Sequence, residues 1–299
     1  MRRLPGIIIP LLLVAACGST TETSRTTGAP TTGVVTSTVP DTTVPVTTVP
    51  DTSAPTTLPP MEEPPVALYF VRGEVLTVVG RSIGTWDATA VMQALVAGPT
   101  DAEAAAGVRT LVPAGTEVLS VTIDGNAATV DLTAEFESGG GSLAVLLAVA
   151  QVTYTLTQWP DVDEVWFRID GEPRDTLTGE GVMVDPATRD RFQDGLLPGI
   201  LLEQPFDQGP VTDPIVIGGM TNAFEATVNY RVLDATGAVV VEGMTTALCG
   251  TGCWGGFSTE IDLPDGTRGP LTLQVFDYSE EDGTSMLDLV EITLVRTAA

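Results

Sequence analysis

The 299-residue chain contains no histidine and no lysine, so all 13 of its basic residues are arginine. Without imidazole there is no Ser-His-Asp or Cys-His nucleophile system, no histidine metal ligand and no side chain poised to exchange protons near neutral pH. Without lysine there is no Schiff base, no Walker lysine and no Ser-Lys dyad. The chemistry left open is a carboxylate pair or an all-oxygen metal site. Positive charge is also outnumbered, and the formal net charge of −26 excludes nucleic acid and anionic lipid surfaces as electrostatic partners. Long apolar runs are missing except at the start, where Leu4 to Val14 is too short for the roughly 20 residues of a membrane-spanning helix.

That short run has its own meaning. Arg2 and Arg3 supply a positive flank, and Leu13-Val14-Ala15-Ala16-Cys17 places small residues directly before a cysteine. This reads as a lipobox: residues 1–16 are expected to be a cleaved lipoprotein signal peptide, with Cys17 becoming the lipidated N-terminus. Several acyl chains on one residue exceed the single chain that binds a membrane only marginally. The expected location is therefore outside the cytoplasm, anchored by lipid to the outer face of the cell membrane.

Residues 17–64 hold the lipidated cysteine and a Thr/Pro-rich tether in which Pro40, Pro45, Pro50, Pro55 and Pro60 recur on a five-residue beat. Proline at this density blocks helices and sheet ladders, so the segment is expected to be disordered. Extended at roughly 3.1 Å per residue, it would reach on the order of 140 Å. About 235 residues then remain, enough for two domains with cores of their own.

From residue 65 to 173 strand and helix signals alternate. Val66 to Val71 and Glu74 to Val79 read as a hairpin, and Asp87 as the cap of a helix over 88–97 that turns Val91, Met92, Leu95 and Val96 inward. Glu117 to Ile123 and Ala127 to Leu132 flank the turn Asp124-Gly125-Asn126. Ser142 is the expected cap of a long helix with Leu143, Leu146, Leu147 and Ala150 on one face, and Val165 to Ile169 is a final strand. Two helices on one small mixed sheet make an α+β domain. Residues 174–199 read as a connector, with a short helix over 188–197. Residues 200–297 then carry seven strand signals at hairpin spacing, the pattern of an immunoglobulin-like sandwich.

The remaining cysteines, Cys249 and Cys253, are separated by Gly-Thr-Gly. Outside the cytoplasm such a pair is expected to oxidise to a disulfide that fixes a local turn, the alternatives being buried thiols and a redox pair. Acidic clusters read less sharply. Glu135 and Glu137, taken as strand positions two apart, share a face but resemble a solvated pair more than a catalytic one. Asp161, Asp163 and Glu164 lack the glycine and terminal bidentate acid of a calcium loop, and Glu280-Glu281-Asp282-Gly283 has the wrong spacing for one and reads as a hairpin turn. Trp159 and Trp166 are expected in the core. Trp254, in a glycine-rich loop, is the better candidate for an exposed contact, against packing over the disulfide. No residue is assigned as catalytic, metal-binding or cofactor-binding.

Leu68-Tyr69-Phe70, Gly98-Pro99-Thr100, the run Leu111 to Thr116, Val130-Asp131-Leu132 with Glu135-Phe136, and Gln151 through Thr157-Gln158-Trp159-Pro160 to Asp170-Gly171 occur in the order found in the GerMN domain, and residues 65–173 resemble it. Gly218-Gly219, Asn222 to Ala226, Asp234 to Gly237 and Gly255-Gly256-Phe257 are similar to the immunoglobulin-like domain found beside GerMN in spore-germination-type proteins. The resemblance implies roles in sporulation, germination or envelope assembly. The expected function is thus a non-enzymatic, membrane-anchored envelope lipoprotein that binds an envelope protein or assembles with itself, without cofactor or nucleic acid. The readings it competes with are a protein that binds or cleaves cell-wall glycan and a sensory accessory to a membrane kinase. No particular small-molecule ligand is indicated.

Overall fold

Strand Val66–Arg72 (β1) turns through Gly73, at φ +63°, into Val75–Arg81 (β2), and this hairpin opens the first domain of a computed structural model that describes residues 65–177 and 181–296. The signal peptide, Cys17 and the tether lie outside the described residues. Helix Ala88–Val96 (α1) follows, capped by the Asp87 carboxylate on the Ala90 amide at 2.9 Å. It buries Ala88, Val91, Met92 and Leu95, while Val96 is only half-buried. Helix Asp101–Ala105 (α2) escaped the sequence reading, although Thr100 and Glu103 form the reciprocal capping box of a helix start. Strands Val108–Arg109 (β3), Val118–Asp124 (β4) and Ala127–Leu132 (β5) come next. Helix Ser142–Leu156 (α3) then crosses over to Glu164–Ile169 (β6), which pairs parallel with β5. Short strands Glu172–Arg174 (β7), Thr176–Leu177 (β8) and Val182–Met183 (β9) close this part.

The expected single sheet is two sheets, ordered β2-β1-β3 and β4-β5-β6-β7. Helix α3 packs against strands of both, which explains why it is not amphipathic: every residue from Leu147 to Leu156 is buried. Its N-cap is Gly141, with extended backbone, and Ser142 is the first helical residue rather than the cap. Leu143, expected inside, is exposed because it precedes the buried turns.

Burying Gln151, Thr153 and Thr155 in a core helix needs a reason, and most of it lies at the edge of β1. Strand β3 pairs only with Val71 and Arg72, so the backbone of Ala67 and Tyr69 has no strand on that side. Side chains of α3 and the residues just after it take that place. The Gln158 carboxamide accepts from Ala67 N and donates to Ala67 O, both at 2.9 Å, as a peptide group would. Thr155 Oγ1 accepts from Tyr69 N at 3.2 Å, and Gln151 Nε2 donates to Tyr69 O at 3.1 Å. Gln151 Oε1 also accepts from Leu111 N at 2.8 Å. An interior strand edge is thus satisfied without another strand.

The segment read as a connector belongs to the first core, to which Leu177, Val182, Val184, Ala187, Phe192, Leu196 and Leu197 contribute. The expected helix over 188–197 is only the 3₁₀ turn Arg189–Phe192. The second domain comprises Ile200–Gln204 (β10), Pro210–Val211 (β11), Ile215–Thr221 (β12), Thr227–Leu233 (β13), Val239–Thr246 (β14), Gly255–Ile261 (β15), Leu271–Tyr278 (β16) and Met286–Arg296 (β17). Sheets β10-β12-β15 and β11-β17-β16-β13-β14 face each other over a core that includes Ile217, Val228, Phe257, Leu273 and Leu294. This is the immunoglobulin-like sandwich, with the two-residue β11 added to the seven expected strands.

Both domains fall within one compact unit, Pro59–Ala299. Leu201, Phe206 and Met220 of the second domain pack on the first core. Phe206 lies over Gly80 so closely that a Cβ there would overlap its ring.

Candidate functional site

A gathering of buried and half-buried ionisable groups sits at the seam between the domains and centres on Arg189. Tyr69 on β1 and Tyr154 on α3 place their ring centroids 5.3 Å apart, and the Arg189 guanidinium lies 5.5 Å from one ring and 4.7 Å from the other. Across the seam, Glu203 on β10 accepts from Arg189 Nη1 at 2.7 Å and also takes the Tyr69 hydroxyl. Arg189 Nε donates to Thr157 Oγ1 at 2.7 Å, and Nη2 to Tyr69 Oη at 3.2 Å and Tyr154 O at 3.3 Å. Nη1 further faces Met220 Sδ at 3.9 Å. These contacts occupy all five guanidinium N–H donors. Tyr154 in turn donates to Arg189 O at 3.2 Å, which fixes the turn that carries the arginine.

Electrostatics follow from that enclosure. Burial pushes both tyrosine hydroxyls well above their ordinary range, with Arg189 only partly opposing it. Burial works against the arginine charge too, but the Tyr69, Glu203 and Tyr154 oxygens outweigh it and keep the guanidinium protonated. Tyr69, Tyr154 and Arg189 therefore hold their protons through the neutral range, and the cluster joins six side chains from two domains. Above it opens a cleft of about 550 Å³ that Arg189 and Glu203 line with Gln158, Gln204, Gly218 and Gly219.

Sequence reasoning missed Arg189 because it lies in the supposed connector. A signal was present: Tyr69 and Tyr154 stand in apolar runs, and buried tyrosine hydroxyls need partners. The residues singled out from sequence lie elsewhere. Cys17 lies outside the described residues, while Cys249 and Cys253 are joined in a disulfide with Cα atoms 5.8 Å apart. Its loop packs on residues 223–226: Thr251 N donates to Ala223 O, and a Cβ on Gly250 would overlap the Ala226 backbone. Trp254 neither points freely to solvent nor simply covers the disulfide. Its indole N–H donates to Asp194 of the first domain at 3.1 Å, and its ring packs on the first core.

Other expectations also change. Glu135 and Glu137 are in the 3₁₀ turn Ala134–Glu137, not a strand, and Glu137 pairs with Arg174 at 3.6 Å. Asp163 accepts from the Asn126 side chain at 2.8 Å, tying the β4–β5 turn to the start of β6. Asp282 organises the β16–β17 turn, accepting from the amides of Thr284 and Ser285. Trp159 is half-buried and packs against Trp86 at a tilt of 42° with centroids 5.2 Å apart, whereas Trp166, expected in the core, is 39% exposed on the outer face of β6. The strand alternation accounts for this, because Val165, Phe167 and Ile169 take the inner face. Among the described residues, no group of three or more Cys, Asp and Glu is placed to hold a metal ion.

No curated protein matches the chain. Among solved structures, the tandem GerMN domains of the sporulation protein GerM from Bacillus subtilis are similar at 17% identity and a TM-score of 0.36, covering 66% of this chain and 61% of that one. The first GerMN domain of the same protein is similar at 25% identity and a TM-score of 0.35, covering 42% of this chain and 97% of that one. The chain thus spans about 61% of the length of the tandem structure. Family models make the assignment: residues 67–175 belong to the Germane family of sporulation and spore germination, and residues 199–284 to Gmad2, the immunoglobulin-like domain of bacterial spore germination.

Proposed function

We propose that this is a non-enzymatic envelope lipoprotein, anchored through Cys17 to the outer face of the cell membrane, whose Germane domain docks an envelope protein or a second copy during sporulation or germination. The observation that carries the reading is the seam: Arg189 commits its N–H donors to Glu203, Tyr69, Thr157, Tyr154 and Met220 within the interdomain joint and so serves to join the domains. Two domains joined at this seam and held on a lipid anchor are suited to presenting surfaces rather than turning over substrate.

The first domain offers such a surface. Strand β4 is a sheet edge with Leu119 and Ile123 exposed, and Trp166 stands on the outer face of the same sheet. Edge strands with apolar, uncharged middles are templates for pairing. In intact cells, a photo-crosslinking residue at Trp166 or Leu119 should trap an envelope protein or a homodimer, and Cys17→Ser should release the protein from the membrane fraction. Absence of any adduct from either position would contradict the docking role, and membrane retention of the Cys17 variant would contradict the anchor.

A further inference from the structure

The seam cleft continues into a second hollow of about 370 Å³, and the two share Ala67, Gln158, Glu203 and Gln204. Both volumes fall in the range of small-molecule sites, roughly 300–1,000 Å³. Their common wall offers planar hydrogen-bonding groups. Glu203 Oε1 is engaged by Tyr69 and Arg189, but its Oε2 has no partner among the described residues, and neither does the exposed Gln204 carboxamide. Trp86 lines the second hollow, is 42% exposed, and is braced from one side by Trp159. The indole presents a flat apolar face within a groove that also contains a free carboxylate oxygen and a free carboxamide.

We infer that this groove is a binding site for an uncharged oligosaccharide, seated with the apolar face of one sugar on Trp86 and the hydroxyl groups of the next on Glu203 Oε2 and Gln204. Three features select this ligand class. The Arg189–Glu203 pair leaves the groove without local net charge, so an ionic ligand finds no counterion. The overall charge of −26 repels polyanions from the same opening. Carboxylate and carboxamide acceptors beside an aromatic platform fit a ligand with hydroxyls on its rim and C–H groups on its faces, and leave an apolar peptide's contacts unmatched. The site is built from both domains, so it exists only while the joint holds. It does not rest on the docking role proposed above, which uses Leu119, Ile123 and Trp166, none of them lining this groove.

The test is titration of the full chain in detergent micelles with the N-acetylglucosamine trimer, followed by saturation-transfer NMR and tryptophan fluorescence. Saturable binding is expected, weakened about tenfold or more by Trp86→Ala and several-fold by Gln204→Ala. Met244→Ala, at an exposed position of β14 that lines neither hollow, should leave it unchanged. Gln204 is exposed, so its variant remains informative should Trp86→Ala disturb folding. No saturation up to about 10 mM sugar, binding indifferent to both groove variants, or occupation of the groove by a proline-rich peptide without sugar binding would each overturn the assignment.

Discussion

Gln151→Leu tests the idea that α3 completes the edge of β1. Gln151 is fully buried, and its removal leaves Tyr69 O without its side-chain donor and Leu111 N without an acceptor. Tyr69 O lies in the core and should lose about 1–3 kcal/mol, whereas Leu111 is half-buried and its N–H regains some solvation, at a loss of about 1 kcal/mol. The added apolar side chain offsets part of this, giving a net destabilisation of about 2 kcal/mol. For a folded unit of this size that lowers the melting temperature by about 4–8 °C. Urea unfolding should show a lower midpoint with an unchanged slope, and the Leu111 amide should exchange faster with solvent. A variant within about 0.5 kcal/mol of the parent would refute the reasoning, because an orphaned carbonyl in the core does not behave as a neutral surface change.

Other expectations concern the seam and the turns. Gly80→Ala forces a methyl into the Phe206 ring and should destabilise by about 1–3 kcal/mol, with Phe206→Ala in the same chain less harmful than the two changes summed; additive effects would exclude the contact. Both buried tyrosines keep their protons above the ordinary value of 10.0, while the unfolded chain loses them there. The unfolded state then binds fewer protons, so stability should fall as pH rises beyond about 10. Early tyrosinate absorbance from Tyr69 and Tyr154 in the folded protein would argue against this. Hydrogen bonds from Ser285 and Thr284 hold the Asp282 carboxyl down to about 2, so its support of the β16–β17 turn is present above the ordinary 3.8 and fades as pH falls toward about 2. Carbon-13 titration of that carboxyl checks it, and a midpoint near 3.8 would contradict the turn geometry.

The hairpins and the α1 cap were readable because each depends on local chemistry: glycine or asparagine turns, alternating strands, and a carboxylate before a helix. Helix α3 was placed correctly along the chain but its faces were not, because its burial comes from two sheets assembled from distant segments. Trp166 was misjudged on composition when its position in the alternation of β6 already put it outward. The joint was hidden for another reason. Arg189 lies 120 residues from Tyr69 and 35 from Tyr154, and nothing local to residues 174–199 announces that this stretch closes a core. Trp254 is similar: its partner Asp194 lies 60 residues away, so only the docking of the domains assigns it a role.

Calorimetric unfolding of the full chain, with and without Arg189→Met, bears most directly on the claim that the buried ionic cluster is a joint. Breaking this partly buried pair should remove about 2–4 kcal/mol, since Glu203 and the Tyr69 hydroxyl lose their common partner. The parent is predicted to unfold in a single transition spanning both domains, and the variant to separate into two. Two transitions in the parent, or one unshifted transition in the variant, would contradict the account.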